Sequence, residues 1–134
     1  MTRLPWKAGL LRDCIGPYFI SATRFTYGDW ATHLRVFTHG LRLRTQWPHL
    51  ADSVGLSTMA DFRTHTFYTL SVWSSYADLQ QWVRSEPHAR LMQRYRVKLV
   101  GTAYEGWRAV NFDLASSWTR ALQRLRPSSE QEGR

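Results

Sequence analysis

The sequence predicts an α+β domain whose strands and helices follow one another as β-α-β-β-α-β, with one more helix at the C-terminal end. Three observations carry this. Four stretches alternate in character with the period of two that a strand requires, two stretches between them hold apolar residues at helical spacing, and Gly, Pro and capping residues fall at the junctions.

Residues 1–16, with Pro5, Gly9 and Gly16, read as an extended arm before a single domain over 17–126. The first strand is YFISATRFTY (18–27), closed by Gly28 and by Asp29 as a helix N-cap. The helix that follows carries Trp30, Leu34, Phe37 and Leu41 on one stripe and is expected to stop before Pro48, with Arg35, Arg42 and Arg44 off the stripe. VGLSTMADF (54–62) and THTFYTLSVW (64–73) form a hairpin turning near Asp61 to Thr64. SSYADLQQWV begins the next helix, with Ser75 and Asp78 at capping-box spacing. SEP at 85–87 interrupts it, because the residue before a proline avoids the helical region, and Pro87 opens a segment running to about Val97. His88, Met92, Tyr95 and Leu99 share a face of that segment. AYEGWRAVNF (103–112) is the fourth strand, LASSWTRALQRL (114–125) an amphipathic helix, and 127–134 a frayed tail. The order is that of the ferredoxin-like split βαβ fold.

A chain of 134 residues with 43% hydrophobic residues can bury one core. The net charge of +8 invites an anionic partner, but sixteen of the eighteen cations are arginine and only Lys7 and Lys98 are lysine, which fits a coding bias towards arginine as readily as a binding patch. No aromatic RNP1-like run stands on the third strand, so neither RNA nor DNA is expected. A single cysteine, Cys14, excludes an internal disulfide. No stretch has the length of a membrane span or the apolar run of a secretory signal, and a cytoplasmic protein is expected. His33, His39, His49 and His65 share no metal-ligand spacing, and no P-loop, GxGxxG or GxSxG occurs.

The third strand carries the functional signal. Tyr68, Leu70 and Val72 lie on one face, while Thr69, Ser71 and Trp73 lie on the other with Ser21, Thr23 and Phe25 of the first strand. Helices packed on one sheet face leave the other apolar, and a second copy of the chain is the expected cover. TLSVWSSYADLQQWVRSEPHARLM resembles the dimeric α/β-barrel superfamily of antibiotic-biosynthesis monooxygenases and small haem-degrading monooxygenases. LPW, SATRF, LRLRTQ and TFYTLSVW are similar to a set of actinobacterial proteins within it labelled DUF3291-like. The resemblance covers about residues 4–110.

It implies a homodimer of ferredoxin-like subunits with a ligand cavity between sheet and helices, into which Trp73 points. The haem-degrading branch uses an Asn, a Trp and a His at positions that fall here on Thr23, Trp73 and Met92, so only the tryptophan matches. The implied activity is a tailoring step of bacterial secondary metabolism, oxygenation of an aromatic or polycyclic intermediate without metal or flavin; a cyclase or lyase would use the same pocket. His88 is the candidate base, since imidazole titrates near neutrality, and would be the iron ligand if haem were bound. Trp73, Thr23, Ser21, Phe25, Thr69, Ser71, Met92 and Tyr95 are the expected lining. Arg24, at the rim or the dimer face, is the candidate partner for an anionic substrate group.

Overall fold

A computed structural model describes residues 1–50 and 52–126, without the side chains of His49 and Leu50. The tail expected over 127–134 lies outside them. Two short strands, β1 (Thr2–Arg3) and β2 (Lys7–Ala8), precede β3 (Tyr18–Tyr27), α1 (Trp30–Leu50), β4 (Gly55–Asp61) and β5 (Thr66–Trp73). Then come α2 (Tyr76–Arg84), α3 (His88–Tyr95) with a 3-10 turn over Arg96–Lys98, β6 (Leu99–Ala109) and α4 (Leu114–Arg124). The antiparallel sheet runs β1-β4-β5-β3-β6, with β2 also on β4. This is the ferredoxin-like α+β fold that the sequence predicts, with its extra C-terminal helix.

Three elements differ from expectation: the arm, α1, and β6, which begins at Leu99, a residue expected on the preceding helical face, and ends at Ala109. The arm is not irregular: β1 and β2 pair with β4, in a run too short for periodicity to reveal. Helix α1 passes through Pro48, which costs only a bond in its last turn. Its stripe is also rotated, since Trp30, Leu34 and Leu41 are exposed while His33 and Trp47 are buried. Gly40 accounts for the rotation: a Cβ there would lie 2.9 Å from Cζ of Phe67, so the helix meets the sheet along the side that has none.

The largest correction concerns the second sheet face. Leu70 and Val72 were expected against a partner's sheet, yet both are fully buried within this chain, under α4. Trp118, Ala121 and Leu125 pack on Ile20, Ala22, Leu70, Val72 and Trp107, and the Trp118 indole donates to Ser57 Oγ at 2.9 Å. An amphipathic helix buries its apolar side on the nearest apolar surface, and here that surface belongs to the same chain. Tyr68, on the same face, is half-buried.

Candidate functional site

The opposite face holds the cavity. Register aligns Thr58 of β4 with Thr69 of β5, Thr69 with Thr23 of β3, and Thr23 with Tyr104 of β6. The neighbouring row is Leu56, Ser71, Ser21 and Gly106. Side chains one strand apart in register share a face, so hydroxyls form a floor across the sheet. The Thr23 and Thr69 hydroxyls bond each other. Above this floor α1, α2 and α3 contribute Trp47, Leu79, Trp82, His88 and Met92, enclosing about 550 Å³. That volume suits a small organic ligand. Tyr76, Val83, Arg84 and Tyr104 are exposed lining residues and mark the mouth. Among the described lining residues there is no Asp or Glu.

Of the residues expected here, Ser21, Thr23, Phe25, Thr69, Ser71, His88 and Met92 line the cavity. Three do not. Trp73 is on the expected side of the sheet but completely buried; it packs edge-on against Trp47 at 5.8 Å and donates from its indole to Ser71 Oγ at 2.8 Å. Trp47 packs on it, and Trp47 and Trp82 are the tryptophans on the wall. Tyr95 turns away from the cavity towards His39, ring centroids 5.6 Å apart, and burial beside Tyr95 pushes Tyr27 up to about 12. Arg24 is neither at a rim nor at a dimer face: it is buried beneath α4, where its guanidinium donates to the Leu125 carbonyl. It satisfies one of the last carbonyls of that helix.

The chain break between α2 and α3 positions His88. Val83 lies in the last turn of α2, and the residue four positions on, Pro87, has no N–H to offer its carbonyl. His88 Nδ1 fills that vacancy at 3.1 Å, and because a carbonyl only accepts, Nδ1 carries the proton. Nε2 is then the basic nitrogen of the neutral ring. The ring packs on Trp82, centroids 5.5 Å apart, and burial holds its pKa below the ordinary value of 6.5, against the smaller opposing effect of the Val83 bond. His88 is therefore a neutral imidazole at pH 7, in the state a general base requires.

Trp47, Trp82, Tyr76, Thr58 and Tyr104 were not expected. Tyr104 extends over Gly106: a Cβ at Gly106 would lie 2.5 Å from the Tyr104 hydroxyl and 2.9 Å from Phe19 Cζ, so glycine makes room for the phenol at the mouth. Burial raises the Tyr104 pKa, and a hydrogen bond with Ser21 opposes the rise. Parity could have found Thr58 and Tyr104. The tryptophans depend on how the helices dock.

Fold and cavity together define this chain as a ferredoxin-like α+β domain with a ligand-sized chamber between sheet and helices, and solved structures are similar to it in fold. SnoaB, a cofactor-independent oxygenase from Streptomyces nogalater, superposes with TM-score 0.55 at 14% identity, over 74% of this chain and 98% of its own. PA3566 from Pseudomonas aeruginosa gives 0.60 at 14% identity, over 71% and 96%. A dimeric ferredoxin-like protein of unknown function from Thermobifida fusca gives 0.56 at 12% identity, over 69% and 92%. At these identities the shared property is the fold. No protein-family model matches the sequence, and no curated protein does.

Among the described residues no three His, Cys, Asp or Glu side chains come together as a metal site. No helix among them is long and apolar enough to cross a membrane.

Proposed function

We propose that the protein is a small-molecule enzyme that oxygenates an aromatic or polycyclic phenol or hydroquinone, as a tailoring step of bacterial secondary metabolism, with no bound cofactor. The observation that carries this reading is the neutral His88 on the wall of a chamber with aromatic walls and a floor of hydroxyls. Nε2 takes the phenolic proton, the electron-rich anion reduces molecular oxygen and joins it through a new C–O bond at a ring C–H carbon, and loss of that C–H proton as the O–O bond breaks leaves a quinone carbonyl and one water, so the substrate supplies all the electrons. Trp47, Trp82 and Phe25 give the flat ring system its walls, Thr69 and Ser71 bond its oxygens, and the enclosure limits water around the anion. The likeness to a cofactor-independent oxygenase supports oxygenation over a redox-neutral cyclisation or elimination with the same base.

The test is oxygen uptake by chelator-treated protein over a panel of polycyclic phenols and hydroquinones. Uptake well above the protein-free rate is expected, falling by roughly 10²–10⁴ in His88→Ala, the usual contribution of a general base. Uptake unchanged in His88→Ala removes the proposed mechanism; product formation without oxygen uptake assigns the cavity to a cyclase or lyase.

Haem binding is the second reading, and one observation favours it. Metal-ligating histidines characteristically donate their other ring N–H to a backbone carbonyl, as His88 does to Val83, so the residue fits an iron ligand. Titration with haemin decides: a Soret band that His88→Ala abolishes would replace the cofactor-free reading.

We also infer a homodimer, supported by the dimeric state of the Thermobifida fusca neighbour. With α4 over the apolar sheet face, the partner contact falls elsewhere, and the outer edge of β6 with exposed Val100 and Tyr104 is the surface we assign to it. Light scattering should return twice the mass of 15.7 kDa.

A further inference from the structure

The buried indoles of this chain are treated unequally. Trp73 donates to Ser71 and Trp118 donates to Ser57. Trp47, only 2% exposed, has no hydrogen-bond partner for Nε1. Thr58 repeats the pattern on the sheet: its neighbours in the threonine row, Thr69 and Thr23, bond each other, while Thr58 Oγ1, on a residue 3% exposed, bonds nothing. Both residues lie on the cavity, Trp47 on its helix wall and Thr58 on its floor. Buried polar groups are almost always satisfied, so two unsatisfied ones around one ligand-sized space mark where a ligand supplies the missing partners.

The chemistry of the two atoms says what that ligand carries. An indole N–H donates and cannot accept, and the Thr58 hydroxyl can donate as well. With no carboxylate in the lining, nothing here selects a cationic group. We propose that Trp47 Nε1 and Thr58 Oγ1 form the polar subsite of the cavity, which recognises a ring ketone or quinone oxygen and thereby selects oxygenated polycycles over hydrocarbons of equal shape. This rests on the cavity being the ligand site and is independent of the reaction performed there. Trp47 and Thr58 are specificity-determining residues, distinct from His88 in role.

A pair of probes differing by one carbonyl tests it: 9-fluorenone and fluorene, binding measured by calorimetry on the full chain, with thermal unfolding as the check on folding. The wild type should bind fluorenone at least ten-fold more tightly than fluorene. Trp47→Phe, which removes the donor, and Thr58→Val, which keeps the shape and removes the hydroxyl, should each lose several-fold to ten-fold more affinity for fluorenone than for fluorene, narrowing the preference for the ketone by the amount expected of a single hydrogen bond. Equal affinity for the two probes in the wild type, equal losses for both in the variants, or no binding of either probe would overturn the subsite. Discrimination retained by a protein that consumes no oxygen would leave the subsite standing and remove the oxygenase reading.

Discussion

Trp73→Ala separates a structural from a ligand-binding role for the residue that strand parity places on the functional face. The indole is fully buried and touches no part of the cavity surface. Removing a buried Trp in this way costs about 3–5 kcal/mol, from lost transfer energy and the void left behind. The lost bond to Ser71 adds little, because Ser71 lines the cavity and can turn its hydroxyl to water. A domain of this size has a total stability of roughly 5–15 kcal/mol, so the variant should fold but with about a fifth or more of its margin gone. With an urea m-value of about 2 kcal/mol/M, the unfolding midpoint should fall by roughly 2 M at unchanged m. A midpoint within about 0.5 M of wild type, together with abolished ligand binding, would refute the placement of Trp73 behind Trp47.

Two further perturbations probe other parts of the molecule. Trp118→Ala should destabilise by about 3 kcal/mol or more in the same urea experiment, because that indole closes the second sheet face; a loss under about 1 kcal/mol would mean that α4 is not seated there in solution. Burial holds His33, His39 and His88 below their ordinary value of 6.5. Below about pH 6.5 the unfolded chain therefore binds more protons than the folded one. Stability should be flat between about pH 7.5 and 9, fall as the pH drops through 6.5 towards the folded-state values, and fall again at higher pH because burial raises Tyr27 and Tyr104; a stability that rises on acidification from about pH 7.5 contradicts the sign.

Much of the fold is legible because its signals are local. Alternation marks β3 and β5, Asp29 and Ser75 accept from the amides three residues on as N-caps should, and Ser85 with Pro87 breaks the helical stretch where α2 gives way to α3. The hydroxyl floor is legible for the same reason, since parity alone puts Ser21, Thr23, Thr69 and Ser71 on one face. What escapes is docking. The rotation of α1 depends on Gly40 meeting Phe67, a contact 27 positions apart, and it decides that Trp47 rather than Trp73 meets the cavity. Amphipathicity announces that α4 must cover something without saying whose sheet it covers. Arg24 and Tyr95 were misplaced by long-range contacts of this kind, Arg24 by α4 and Tyr95 by a turn towards His39. The tautomer of His88, by contrast, was within reach, because a valine four residues before a proline has a carbonyl to spare and the next residue is a histidine.

The account turns on His88 offering a free Nε2 to a ligand in the cavity. Imidazole nitrogen NMR at pH 7, with and without 1-naphthol, reads this directly. The protein should show His88 neutral with the proton on Nδ1, and the Nε2 resonance should shift when the phenol binds. A proton on Nε2, or an Nε2 signal that ignores a bound phenol, would contradict it.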